Sequence, residues 1–142
     1  GVGLDIVDLD RVERIIRQPS GLRFAERVLT KREMERYLSL GERRGVEYLA
    51  GRFAAKESVA KALGCGIGAA VGFVDIEIGS DQAGRPICTL SEASWSRLGR
   101  VGAHYRIHVA ITHERKMAAS TAVIEYVGGN GEPVCQQPTT QS

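Results

Sequence analysis

The segment from Val46 to Leu63 constrains the fold more than any other, because Leu49, Phe53, Ala60 and Leu63 recur at spacings of three, four or seven. That period draws one apolar stripe along a helix, and Gly64 stands where a helix of this length ends on a left-handed residue. The spacing therefore predicts a long central helix around which the rest of the chain must pack. Its second half, Gly51-Arg52-Phe53-Ala54-Ala55-Lys56-Glu57-Ser58-Val59-Ala60-Lys61, sets one carboxylate among three cations in an otherwise apolar stretch. A group that binds a polyphosphate through a divalent cation needs a carboxylate for the metal and cations for the phosphate oxygens. The ordinary reading of Glu57 is the i,i+4 partner of Lys61, worth about 0.3 kcal/mol if exposed.

Around that helix the pattern is mixed. Gly1 to Val7 reads as a short strand ending near Asp5, followed by a helix over Leu9 to Arg17 that Pro19 stops. A short helix over Leu22 to Leu29 comes next. Thr30-Lys31-Arg32-Glu33 is a capping box, so a third helix should run to about Leu40. Gly41 to Gly45 reads as a charged loop. Phe73-Val74-Asp75-Ile76-Glu77-Ile78 alternates strictly, Asp81 to Gly84 turns and Pro86 to Leu90 extends again, which is a hairpin. Ser91 can cap a helix to about Leu98 with Trp95 inward. Ile107 to His113 and Ala118 to Tyr126 form a second antiparallel pair. Helices come first and most strands later, so the predicted class is α+β, a mainly antiparallel sheet packed on the central helix and shorter N-terminal helices.

With 142 residues, one domain over 1–127 is expected. Residues 128–142 turn to Gly, Pro, Gln and Thr and read as an irregular polar tail without catalytic work. Gly1, not a methionine and already inside an apolar pattern, points to residues before it. No run of eighteen apolar residues or leader-like segment occurs, which predicts a cytoplasmic protein without membrane contact. Cys65, Cys88 and Cys135, widely spaced and without a CxxC pair, read as incidental thiols. A net charge of +2 argues against nucleic acid, as do aromatic residues that make up 6% of the chain and are not interleaved with basic ones. The arginines are nonetheless crowded early. Arg11, Arg14, Arg17, Arg23, Arg27, Arg32 and Arg36 suggest a face that steers acidic partners.

Several residues carry candidate chemistry. Asp5, after Gly1-Val2-Gly3, is a strand-end carboxylate that could cap a turn or could share a magnesium ion with Glu57. The glycines at 64, 66 and 68 follow a helix rather than a strand, so a C-cap and loop are favoured over a dinucleotide fingerprint. His113, beside Thr112, reads by default as a strand-end surface histidine.

Five ordered motifs together resemble bacterial holo-[acyl-carrier-protein] synthase. They are Gly1 to Val7, Phe24 to Thr30, Gly51 to Glu57 with Lys61 to Gly64, Phe73 to Ile78 and His108 to His113, and the likeness runs to about Glu125. The resemblance implies a magnesium-dependent 4′-phosphopantetheinyl transferase that moves the arm of coenzyme A onto a serine of apo acyl carrier protein for fatty acid synthesis, releasing adenosine 3′,5′-bisphosphate. It makes Asp5 and Glu57 the magnesium ligands and gives Lys61 the pyrophosphate. Arg44, Arg52, Thr112 and His113 fall to the nucleotide end, and Gly64, Gly66 and Pro86 lie against the nucleotide through backbone. Glu57, or a metal-bound water that it contacts, accepts the serine proton. Arg11, Arg14, Arg23, Phe24 and Arg27 fit the carrier-docking face, and family members of this length form homotrimers with active sites between subunits. The rival from another class is a binding module whose arginines hold an acidic protein or RNA. An enzyme of the same shape serving another carrier is a third reading.

Overall fold

The computed structural model describes residues 1–128. Five helices and five strands alternate irregularly: β1 (Val2–Asp8), α1 (Leu9–Arg17), α2 (Gly21–Val28), α3 (Lys31–Leu38), α4 (Glu42–Ala62), β2 (Ile76–Ser80), β3 (Pro86–Leu90), α5 (Glu92–Arg97), β4 (Tyr105–His113) and β5 (Met117–Tyr126). Strands β1, β5 and β4, in that order, make an antiparallel sheet; β2 and β3 make a separate antiparallel hairpin. The α+β class expected from the sequence is the one observed.

Helix α4 lies across the inner face of the three-stranded sheet, and it is buried on more than the expected stripe. Leu49, Ala60 and Leu63 are buried and Phe53 is half-buried, but Val46, Ala50, Ala54, Ala55 and Val59 are buried too. One apolar cluster joins α4 to α1, α2 and the inner side of β1 and β5 through Leu9, Val12, Ala25 and Val28. A second joins it to the hairpin and α5 through Val71, Ile76, Ile78 and Trp95.

The approach of α4 to β1 is close enough to fix both. A Cβ placed on Gly3 would stand 1.8 Å from the carbonyl oxygen of Ser58, so only glycine lets strand and helix meet backbone to backbone here. Beside that contact, the Ser58 hydroxyl donates to the carbonyl of Ala55 at 2.8 Å and lies 3.0 Å from the hydroxyl of Ser120, the cross-strand partner of Asp5.

Three local expectations are corrected. Strand β1 does not end near Asp5 but runs on to Asp8, whose carboxylate caps α1 by accepting from the amides of Asp10 and Arg11. The capping role weighed for Asp5 thus belongs to Asp8, and Asp5 faces inward from mid-strand. Gly41 to Gly45 is not a loop. Gly41 is the N-cap and α4 begins at Glu42, with Glu42 favourable at the positive helix end and an Arg43–Glu47 pair at 3.5 Å along the first turns. Finally, Phe73–Asp75 is a 3₁₀ turn, and the strand starts only at Ile76. Asp75 explains this: its carboxylate accepts from the Gly72 amide, the Ser91 hydroxyl and Arg97, which closes a turn instead of continuing a pleat. The expected tail falls almost wholly outside the described residues, as does Cys135; Cys65 and Cys88 are free thiols.

Candidate active site

Strand β1 and helix α4 bring Asp5 and Glu57 to one cavity of about 510 Å³. Gly3 sets the strand against Ser58, so the inward residue two further along β1 and the helical residue just before Ser58 face the same space. Lys61 completes the cluster from the next turn. Its Nζ donates to Asp5 Oδ1 at 3.0 Å and to the carbonyl of Leu4 at 3.1 Å. The expected i,i+4 pair with Glu57 does not form; Lys61 reaches across to the strand instead. Burial pushes the Glu57 carboxyl above the usual carboxylate range, the neighbouring Asp5 charge pushes it further, and Lys61 offsets part of this.

This concentration of negative charge is what a divalent cation would relieve, and the ammonium of Lys61 already stands against Asp5. Among the described residues no group of three or more His, Cys, Asp or Glu side chains is poised around a metal. Magnesium asks for less, one or two carboxylates with water and substrate phosphate filling its octahedron, so the pair fits that ion and not a closed protein cage.

The rest of the same cavity is lined by Asp8, Arg11, Phe24, Arg27 and Phe53, with apolar side chains from β1 and α1. Three of the five residues expected to dock a carrier thus share a groove with the carboxylates. Arg14 and Arg23 are exposed and lie outside it. Asp8 was missed in the sequence, although an Asp directly before the apolar start of α1 is a recognisable N-cap.

A second cavity of about 180 Å³ gathers Arg44, Arg52 and His113 with Arg36, Tyr48 and Ile111. It lies on another side of α4, since residues 52 and 57 are separated by about 140° around a helix. One chain therefore does not bring the two groups together. Gly64 (φ +85°) and Gly66 (φ +66°) follow the end of α4, and Pro86 opens β3; none of the three lines either cavity. Thr112 is also apart, since it points from β4 to the sheet face opposite His113. Arg36 and Tyr48 were not foreseen. Tyr48 carries a readable signal, standing four residues before Arg52, which sets a ring under a guanidinium.

Lys56 is the plainest correction. The sequence groups it with the phosphate-binding cations, but it is fully buried and points the other way. Its Nζ donates to Glu33 Oε1 and the carbonyl of Val28 at 2.6 Å, and to the carbonyl of Phe73 at 3.0 Å. Burial draws its ammonium below the ordinary lysine value, against the pull of Glu33.

A long helix laid on a small antiparallel sheet is a fold shared with a class of enzymes that transfer phosphopantetheine. Residues 1–121 match the family model described as the 4′-phosphopantetheinyl transferase superfamily, and the chain belongs to that superfamily. Among its relatives is the holo-[acyl-carrier-protein] synthase of Bacillus subtilis (strain 168), 47% identical over 128 residues, covering 88% of this chain and 94% of the relative. The structure is similar to a crystal structure of the synthase from Bacillus anthracis str. Ames in complex with CoA (3′,5′-ADP), at TM-score 0.75 and 36% identity over 89% of this chain and 96% of that one. It is also similar to the synthase of Neisseria meningitidis, at TM-score 0.78 and 38% identity over 88% and 97% of the two chains.

Proposed function

We propose that this chain is a holo-[acyl-carrier-protein] synthase, transferring the 4′-phosphopantetheine arm of coenzyme A to a serine hydroxyl of apo acyl carrier protein and releasing adenosine 3′,5′-bisphosphate. The observation that carries this reading is the single groove in which Asp5 and Glu57 stand behind Arg11, Phe24 and Arg27. A small acidic carrier drawn to the arginines delivers its serine to the carboxylates.

In the reaction the serine oxygen forms a bond to the phosphorus bearing pantetheine, while the bond from that phosphorus to the bridging oxygen breaks and the bisphosphate leaves. Glu57, with its carboxyl held up by burial and Asp5, is suited to take the serine proton. Asp5 and Glu57 would hold a magnesium ion, which supplies positive charge to the pyrophosphate oxygens when bound. Lys61, half exposed and already beside Asp5, turns its remaining N–H donors to the same oxygens. Arg44, Arg52 and His113 receive the 3′-phosphate.

Because those cations and the carboxylates lie on different sides of α4, the site is completed between chains, in a homotrimer. Support comes from the outer face of the sheet, where Val2, Leu4, Ile6 and Val123 are 74%, 55%, 54% and 42% exposed. Such a contiguous apolar strip is unusual on a monomer. Gly64, Gly66, Pro86 and Thr112 meet the nucleotide at the same junction. Among the described residues no helix is long and apolar enough to cross a membrane, and the reading is of a cytoplasmic enzyme.

The test is incubation with coenzyme A, magnesium and apo acyl carrier protein, followed by mass spectrometry of the carrier. Gain of the phosphopantetheine mass, abolished by chelator and restored by magnesium, is expected. A carrier left unmodified under conditions where another synthase acts would end the proposal.

A further inference from the structure

Behind the two carboxylates lies a polar link that the transfer reaction does not use. Ser58, the residue after Glu57, is 0% exposed, and Ser120, the cross-strand partner of Asp5, is 2% exposed. Their hydroxyl oxygens are 3.0 Å apart. The proton in that contact can be assigned. Ser58 has one hydroxyl proton and gives it to the carbonyl of Ala55 at 2.8 Å, so Ser120 donates and Ser58 accepts. The bond ties α4 to β5 in a dry interior, where a polar contact is electrostatically stronger than in water.

Elsewhere along this seam helix and sheet meet through small residues. Gly3, Ala55, Ala62, Ala118 and Ala122 are all buried. Gly3 sets how closely β1 approaches, because a Cβ there would strike the Ser58 carbonyl. Methyl groups and hydrogens make shallow ridges, however, and these resist sliding of one element along the other only weakly. The hydroxyl bond resists it, since a bond of 3.0 Å is lost once its oxygens part by a few tenths of an ångström.

The carboxylates inherit this setting. Asp5 and Ser120 stand opposite each other with their side chains on one face of the sheet, and Glu57 and Ser58 are consecutive on the helix. A slide or lift of α4 therefore changes the separation of Asp5 and Glu57 directly. Their like charges favour such a lift, and Lys61 offsets only part of this. Magnesium tolerates little of it, because its octahedron asks for oxygens at about 2.0–2.1 Å.

We propose that Ser58 and Ser120 are positioning residues, whose hydroxyl bond fixes the separation of Asp5 and Glu57 for a divalent cation. This rests on the reading that the two carboxylates share a magnesium ion. The bond acts on affinity for the metal and leaves the carrier-docking groove as it is.

The test titrates Mn²⁺, a paramagnetic substitute for magnesium, into the full chain with coenzyme A present and reads the free ion by electron paramagnetic resonance. Thermal unfolding of each variant is measured in parallel, in chelator. Ser120→Ala removes the tie and strands no donor, because the Ser58 proton stays on Ala55. It should weaken Mn²⁺ binding about 3- to 10-fold, the worth of an ordinary hydrogen bond, with the unfolding temperature near that of the parent and KM for apo carrier unchanged. Ser58→Ala leaves the Ser120 donor bare in the interior, so it should weaken binding to a similar extent and also lower the unfolding temperature. The double variant is decisive. It should regain stability but not affinity for Mn²⁺, whereas a pair that merely holds the fold would recover both together. Unaltered Mn²⁺ affinity in Ser120→Ala, or affinity that returns with stability in the double variant, overturns the proposal. Asp5→Asn separates the two readings. If it binds Mn²⁺ like the parent, the magnesium reading falls and the proposal with it; if it loses the ion while Ser120→Ala does not, only the proposal falls. Should Ser120→Ala not fold, Ser120→Cys carries the same comparison with a side chain of similar shape and a weaker donor.

Discussion

Glu57 and Asp75 are both carboxylates held by their surroundings, and they lead to opposite expectations. Glu57 makes no ion pair among the described residues and is pushed up by burial and by Asp5, with Lys61 offsetting part of this. Glu57→Gln keeps its size and helical fit, so circular dichroism should stay as in the parent while turnover falls by about 10²- to 10⁴-fold, the ordinary worth of a positioned proton acceptor. Activity near that of the parent would remove Glu57 from the reaction. At Asp75 burial pushes the carboxyl up, but the Ser91 hydroxyl, the Gly72 amide and Arg97 outweigh it and hold the group below its ordinary value. A folded pKa below the unfolded one stabilises the protein above the unfolded value of about 3.9, and that contribution is lost as pH falls through the folded value. Denaturant titrations below about pH 4 should therefore show Asp75→Asn losing less stability than the parent. At this scale the sequence exposes identity but not direction. Glu57 and Asp5 could be paired as candidates, whereas nothing in the run of letters tells that Lys56 turns inward and Lys61 outward.

The body of helix α4 and the existence of strand β1 were legible, although β1 runs past Asp5 to Asp8 and α4 begins at Glu42. The long apolar stripe and the capping box at Thr30 appear where spacing predicts them, and the β2–β3 hairpin forms with its first strand starting at Ile76. The misread start of β2 and the inward turn of Lys56 share a cause, polar side chains that bind backbone or each other across elements. Asp75 ends an apparent alternation by tying Gly72 to Ser91, and Glu33 reaches from α3 to accept from the Ile78 amide of β2 while pairing with Lys56 of α4. The Glu33–Lys56 pair joins three elements in the dry core. Removing one partner leaves a buried charge uncompensated, so Lys56→Met should cost about 3–5 kcal/mol in equilibrium unfolding. Replacing Glu33 by Gln in the same protein should return part of it. A loss below about 1 kcal/mol, typical of a surface pair, would show the core to be wetter than the structure places it.

For the whole molecule, the chain places the two proposed half-sites on different sides of one helix. The apolar outer face of the sheet is where a further copy belongs in the proposed trimer. Val123 is near the centre of that face, on the middle strand β5, and Val123→Lys should convert a trimer to a monomer in analytical ultracentrifugation. Turnover should disappear with it, since each monomer keeps its carboxylates and its arginines but no longer sets them against a neighbour's. A monomeric and fully active variant would show that one chain suffices. The proposed assembly comes from the resemblance alone, because burial in a partner would look in sequence like burial in a core. The Gly3 contact with Ser58 carries a different consequence. In a scan of every substitution, Gly3 should prove as intolerant as Asp5 although it touches no substrate. No second-site change should rescue Gly3→Ala, because what it strikes is a carbonyl, and every residue that could replace Ser58 brings the same one.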